Sequence, residues 1–101
     1  MDTETLLAEA KARFSHNTAK EYLAEKYQNK LIVADQGGLW KADATTISLL
    51  NSFDTEELVL IDTFSNPVKV NRILLLETLQ KTYESTMNEW YEEWKGLETK
   101  R

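Results

Sequence analysis

One pattern of apolar and polar residues occurs twice between residues 31 and 76. Leu31–Asp35 and Leu58–Asp62 are each four apolar residues followed by an aspartate. A turn follows each run, and then Trp40–Asp43 and Val68–Asn71 share the order apolar, lysine, apolar, Asp or Asn. Because Asp and Asn favour the N-caps of helices, each copy predicts two strands followed by a helix.

The two copies differ in their turns. In the first, Gly37 and Gly38 supply the positive φ angles that tight hairpin turns require. In the second, Pro67 cannot donate to a ladder, so the fourth strand should begin at a sheet edge. Asp43 should cap a short helix that ends near residue 53 and turns its apolar side chains inward: Ile47, Leu50 and, last, Phe53.

Residues 3–28 have helical spacing with an interruption. Leu7, Ala10 and Phe14 form one apolar stripe, and the cap-forming residues 15–18 follow it. A second stripe then begins, made of Ala19, Tyr22, Leu23 and Tyr27. A bent helix or two short helices would both fit this pattern, and we favour two helices joined by a tight corner.

The last predicted helix is the longest. Asn71 should cap it, and an apolar stripe with spacings of three and four residues runs from Ile73 to Leu97. Its first turn, residues 73–76, is apolar on every side and should be deeply buried. Such a helix is about 40 Å long, whereas five-residue strands span about 17 Å. Its second half should therefore extend past the sheet and be covered by the N-terminal helices or by a partner.

These elements define one α+β domain spanning residues 1–101. It comprises an N-terminal helical region (1–29), a first ββα unit (30–53) and a second ββα unit with the long helix (57–99). We expect the four strands to form a single, mainly antiparallel sheet.

Composition narrows the class of protein. The 101 residues are 42% hydrophobic and include three Trp, four Tyr and three Phe, which indicates a folded core. There is no cysteine for a disulfide or thiolate metal site, no apolar run long enough for a membrane span and no visible signal peptide. We therefore expect a cytoplasmic location. The net charge of -5 disfavours direct binding to nucleic acid.

Candidate catalytic residues are few. His16 is the only histidine, so a catalytic triad or zinc site has no second member. Asp35 and Asp62 occupy matching positions and could do acid–base work or bind Mg²⁺, but aspartate before a turn is ordinary turn chemistry. The segment Gln36–Gly38 lacks the spacing of a phosphate-binding loop. We expect no enzyme activity, cofactor, metal or small-molecule substrate.

The C-terminal helix carries the more informative side chains. Large aromatic residues and Met concentrate at protein interfaces, and this helix offers five candidates for partner binding: Tyr83, Met87, Trp90, Tyr91 and Trp94. Packing on the N-terminal helices explains them equally well. The helix also has an acidic surface, which suggests an alternative function as a nucleic-acid mimic that binds a basic protein: Glu84, Glu89, Glu92, Glu93 and Glu98.

The segments LIVADQGGLWKADATTISLL and LIDTFSNPVKVNRILLLETL resemble small, uncharacterised proteins encoded by T4-like phages of cyanobacteria. This resemblance covers most of the chain and implies a phage-encoded accessory protein, either a virion or assembly component or a factor acting on the host. It would place the protein in the host cytoplasm or in the virion. The leading hypothesis is thus a noncatalytic protein that binds itself or another protein through its long helix.

Overall fold

The computed structural model describes the backbone of residues 3–99 and the side chains of residues 17–97. Its elements, in chain order, are α1 (Thr3–Lys30), β1 (Ile32–Asp35), β2 (Gly38–Lys41), α2 (Ala44–Asn51), β3 (Glu57–Ile61), β4 (Pro67–Asn71) and α3 (Arg72–Thr99). The predictions of an α+β class, of two successive ββα units and of a long C-terminal helix are confirmed. Within the described backbone, no helix is long and apolar enough to span a membrane.

The N-terminal region is one helix, so the prediction of two helices with a tight corner is wrong. α1 continues without a break through the cap-forming residues 15–18. Ser, Asn and Thr inside a helix each cost only a few tenths of a kcal/mol relative to better helix formers. Breaking the helix would instead leave backbone donors and acceptors without partners at two new ends. The predicted stripe of Leu7, Ala10 and Phe14 lies outside the described side chains, as does His16.

Both predicted N-caps are confirmed. The Asp43 carboxylate accepts a hydrogen bond from the Thr46 N–H at 2.8 Å at the start of α2. The Asn71 side-chain oxygen accepts one from the Leu74 N–H at 3.0 Å at the start of α3. These bonds satisfy backbone donors that have no partner inside the helix.

The first hairpin turn differs from the prediction in its second glycine. Gln36 and Gly37 have the positive φ angles, 49° and 79°, while Gly38 is already part of β2. Gly38 is required for space instead, because a Cβ there would lie 2.5 Å from Cζ2 of Trp40. The Trp40 indole lies back over this glycine and donates a hydrogen bond to the Asp35 carbonyl at 2.8 Å.

The four strands do not form the single sheet that we expected. β1 pairs only with β2, and β3 only with β4, as two antiparallel hairpins. In the described part of the chain, three side-chain hydrogen bonds and one backbone hydrogen bond connect the two hairpins in place of a ladder. Leu39 of β2 donates to the Asp62 carboxylate at 3.2 Å, and its carbonyl accepts from Thr63 at 2.9 Å. The Gln36 amide similarly accepts from the Asn71 N–H at 2.7 Å and donates to the Asn71 carbonyl at 3.2 Å.

The main core lies between the hairpins, α2 and the first half of α3. Its buried residues come from β2, β4, α2 and α3 and from the residues next to the first hairpin. They are Leu31, Trp40, Ala42, Leu50, Val70, Leu75 and Leu79. Ile47 packs against this core and Leu50 is within it, as predicted. Phe53, Ile73 and Leu74 are exposed, against the prediction. The core covers only one side of α3, the side of Leu75 and Leu79, and leaves the others to solvent.

α1 and α3 pack as an antiparallel pair. Lys26 of α1 lies opposite Glu93 of α3, and Lys30 lies opposite Glu89. Continued one residue at a time, this register places Lys20 opposite Thr99, the last residue of α3. The backbone of α1 before Lys20 therefore extends beyond the end of α3. This overhang accounts for an elongated molecule of 65 × 24 × 20 Å.

The contact between Gly38 and Trp40 predicts the cost of a methyl group at this position. Gly38→Ala should lower the free energy of unfolding by about 1–3 kcal/mol, because the buried indole must move. In a Trp40→Leu background the same substitution should cost less, since the ring that it would meet is gone. Urea unfolding of the four proteins measures this coupling, and an equal cost in both backgrounds would contradict it.

Candidate protein-binding surface

Tyr27 joins α1 to the second half of α3. Its ring is almost fully buried and stacks on Trp90, with ring centroids 5.9 Å apart and planes within 9°. Its hydroxyl donates a hydrogen bond to the Glu93 carboxylate, which also accepts from the Lys26 ammonium at 2.9 Å. The N-terminal helix therefore covers part of the long helix, which is one of the two alternatives expected from the length of that helix; the other was a partner.

The hydrogen bonds at this contact shift the pKa values of Glu93, Tyr27 and Lys26 in the directions that preserve the contact. The hydrogen bond from Tyr27 and then that from Lys26 hold the pKa of Glu93 below its ordinary value. The same bonds raise the pKa of the Tyr27 hydroxyl and of the Lys26 ammonium. Glu93 therefore stays ionised as an acceptor while both donors keep their protons.

Lysines also lie beside two other glutamates of the acidic surface. Lys30 lies 3.3 Å from Glu89, and Lys95 lies 3.3 Å from Glu92. These pairs are exposed and contribute little to stability. They do reduce the negative charge that the surface presents to a partner.

The structure separates four of the five predicted partner-binding residues into a covered pair and an exposed pair. Tyr83 packs against the main core and Trp90 stacks on Tyr27, and both are partly buried. Tyr91 and Trp94 face solvent with 57% and 39% of their surface exposed. The two exposed rings stack on each other, with centroids 6.1 Å apart and planes 25° apart.

Met87, Tyr91 and Trp94 define what we call the aromatic edge of α3. Their spacings of four and three residues place them along one flank of the helix. Met87 is partly buried, while the two rings beyond it are exposed. The Lys95 ammonium lies 5.6 Å from the centroid of Tyr91 and gives the edge a polar border. This edge is an exposed apolar strip beside the covered face of the same helix.

A second concave surface contains both aspartates that sequence analysis singled out. Asp35 and Asp62 line an open groove of about 600 Å³ with Leu39, Phe64 and Asn66. The Asp62 carboxylate accepts hydrogen bonds from three backbone N–H groups, those of Asn66, Phe64 and Leu39, at 3.0–3.2 Å. These bonds, that from Asn66 first, outweigh burial and lower the pKa of Asp62. Its oxygens thus hold the turn and the neighbouring hairpin.

The described side chains contain no cluster of three or more His, Asp or Glu residues that could hold a metal ion. No protein family, curated protein or solved structure matches the chain. The aromatic edge of α3 is the candidate site because its two large stacked rings, Tyr91 and Trp94, are exposed to solvent.

The residues that separate the covered rings from the exposed rings could not be predicted from the sequence. Tyr27 lies on an apolar stripe of the sequence, but its contact with Trp90 and Glu93 depends on the register of two helices that are far apart in the chain. Only one signal was present. Lys26 and Lys30 on α1 repeat the four-residue spacing of Glu89 and Glu93 on α3, as an antiparallel ion-paired contact requires.

The hydrogen bonds of Asp62 predict a pH-dependent contribution to stability. Asp62→Asn keeps an oxygen for the turn but places an NH₂ group where Leu39 needs an acceptor, so the variant should be less stable at neutral pH. Because folding lowers the pKa of Asp62, its contribution is complete above the unfolded value of about 3.9 and is lost as the pH falls through the folded value. The stability difference should therefore shrink in acid.

Urea unfolding of the wild type and of Asp62→Asn at several pH values measures this difference. Asp35→Asn is the matched control, because its carboxylate makes no hydrogen bond among the described residues and its substitution should change stability little. A gap between wild type and Asp62→Asn that stays constant from neutral pH to pH 3 would contradict the role given to this carboxylate.

The two tryptophans of the helix should differ in stability cost. Trp90→Ala removes the ring that stacks on Tyr27 and should lower the free energy of unfolding by about 2–4 kcal/mol. Trp94→Ala removes an exposed ring and should cost less than about 1 kcal/mol. Chemical unfolding followed by circular dichroism measures both. Equal costs would show that Trp94 belongs to the packed interior.

Proposed function

We propose that this protein catalyses no reaction and acts by binding a protein partner, another protein or a second copy of itself, through the aromatic edge of α3. One observation carries the proposal: two large stacked rings, Tyr91 and Trp94, stand exposed beside a contact that already covers Trp90. Aromatic rings at the centre of an interface contribute most of the binding energy in many protein complexes. Leaving them in water has no structural benefit for α3 itself.

The surroundings of the edge support a protein as the partner. Lys95 and Glu92 form a charged pair at its border, and a polar rim around an apolar centre is typical of protein interfaces. The net charge of -5 disfavours a nucleic acid, whose phosphates require a basic surface. Membrane and small-molecule partners form no part of the proposal.

The setting that we propose follows the resemblance to proteins of T4-like cyanobacterial phages. In that setting the protein is a structural, assembly or accessory component and acts in the cytoplasm of the host cell or in the virion. The alternative of an acidic decoy gains no support from the described side chains, since Lys26, Lys30 and Lys95 each lie beside one of its glutamates.

Site-specific crosslinking tests the proposal. A photoreactive phenylalanine analogue at Tyr91, introduced in the cells that produce the protein, should give one dominant protein adduct that mass spectrometry identifies. Tyr91→Ser with Trp94→Ser should then weaken binding of the identified partner by tenfold or more, because the interface loses its aromatic anchors. Isothermal titration calorimetry with the purified partner measures this loss.

Leu74→Ser provides the matched control. Leu74 is an exposed apolar residue on another side of the same helix, so its substitution should leave the affinity unchanged. Circular dichroism must show that all variants keep their helices. Binding that falls equally in the control, or that is unaffected by loss of Tyr91 and Trp94, would refute the proposed site. Binding that disappears at moderate salt would instead favour the acidic decoy.

A further inference from the structure

The hydrogen-bond pattern of the second hairpin leaves one strand edge open. Glu56 and Asp62, at the two ends of β3, bond across the hairpin to Arg72 and Asn66. In an antiparallel pair the bonded residues alternate with residues whose N–H and C=O point away from the partner strand. The residues between them at odd positions, Glu57, Val59 and Ile61, therefore direct their backbone groups outward.

On β2 and β4, most of the backbone N–H and C=O groups that point outward already make hydrogen bonds. Leu39 of β2 bonds to Asp62 and Thr63, and Asn71 of β4 bonds to the Gln36 amide. Pro67 of β4 has no N–H to offer. Among the described residues, no hydrogen bond reaches the outward groups of β3. This edge is therefore a row of three residues with unused donors and acceptors.

The side chains of β3 do not protect this edge. Val59 and Ile61 are large apolar residues with 61% and 65% of their surface exposed. Natural proteins usually protect an open edge with lysine, proline or a covering loop. Here the proline and the lysine, Pro67 and Lys69, are on β4. An exposed apolar edge with free backbone groups is a template for another strand.

We propose that β3 pairs antiparallel with β3 of a second copy of this chain, about a two-fold axis at Val59. In this register Val59 faces Val59 of the partner subunit, and Glu57 faces the partner subunit's Ile61. All three outward residues of both strands then exchange backbone hydrogen bonds, and the two hairpins become one four-stranded sheet.

The spacing of the outward groups allows a second copy to pair with this edge. Glu57 and Ile61 lie two residues on either side of Val59, so a two-fold axis at Val59 places every outward residue of one copy opposite an outward residue of the other. The one charged side chain of the set, Glu57, faces an apolar residue in this register and is paired within its own hairpin to Lys69 at 3.3 Å. Pairing centred on Glu57 would instead place two like charges opposite each other.

The size of the contact sets its strength. Five residues on each strand bury well below the roughly 1,200 Å² typical of stable complexes, so the dimer should be weak and depend on concentration. The contact does not involve the aromatic edge of α3. Its failure would therefore leave the proposed function untouched, and the converse also holds.

Amide hydrogen exchange on the unmodified protein tests the pairing. Between about 20 μM and about 2 mM protein, exchange at Val59 and at Glu57 and Ile61 should slow by about fivefold or more, because these N–H groups gain acceptors.

Ile32 and Ala34 of β1 are the internal control. The Ala42 N–H donates to the Leu31 carbonyl, so by the same alternation these two residues direct their backbone groups away from β2, and they take no part in the pairing. Exchange at Val59 that is independent of concentration would overturn the proposal.

Two substitutions at one position separate backbone pairing from side-chain contact. Val59→Pro removes an outward N–H without removing a β3–β4 hydrogen bond, and should be monomeric in sedimentation at 2 mM, about the highest concentration of the exchange series. Val59→Thr keeps the N–H and the branched side chain and should still dimerise. A Val59→Pro protein that dimerises as the wild type does would refute the pairing. If this variant does not fold, the exchange measurement decides.

A dimer formed elsewhere gives a different result. Were self-association to use the aromatic edge, Tyr91→Ser with Trp94→Ser would abolish it while Val59→Pro would not. That outcome would overturn the β3 pairing and leave the proposed function intact.

Discussion

The length of α3 is the constraint on which the rest of the structure depends. Its 28 residues span about 42 Å, whereas the strands have four or five residues and span about 13–17 Å. The hairpins and α2 can therefore cover only its first half. The second half is covered by α1, through Tyr27 and its contacts with Trp90 and Glu93. A single helix covers a single face, so the flank with Tyr91 and Trp94 stays open.

The two hairpins are connected by a few hydrogen bonds and not by a continuous sheet. The side chains of Asp62 and Gln36 connect them at Leu39 and at Asn71, and a single backbone bond joins Thr63 to Leu39, where a continuous sheet would have a backbone ladder. Side-chain links satisfy single residues and do not extend along a strand, as a ladder does. The two hairpins can thus pack on one core without closing their edges, and this leaves the outward groups of β3 available.

Features with local causes could be predicted from the sequence, and features that depend on distant contacts could not. The caps at Asp43 and Asn71 lie within three residues of the groups they bind, so the sequence alone identified them. Whether Ile73 is buried or exposed depends on which side of α3 is covered by α2 and the hairpins, and these elements are distant in the chain. The division of the five candidate residues depends on the register of α1 against α3, which no local pattern contains.

The elongated shape connects stability to binding. A compact domain of this length has a radius of gyration of about 13 Å, whereas this chain has 19.3 Å. An extended molecule buries a smaller share of its apolar surface, and Tyr91, Trp94, Val59 and Ile61 are part of what remains exposed. A partner that binds only the folded state adds its binding free energy to folding. A partner on the aromatic edge of α3 or on the outer edge of β3 would therefore stabilise the fold as well as complete an interface. The two gains in the free energy of unfolding should add, because the surfaces lie on different elements.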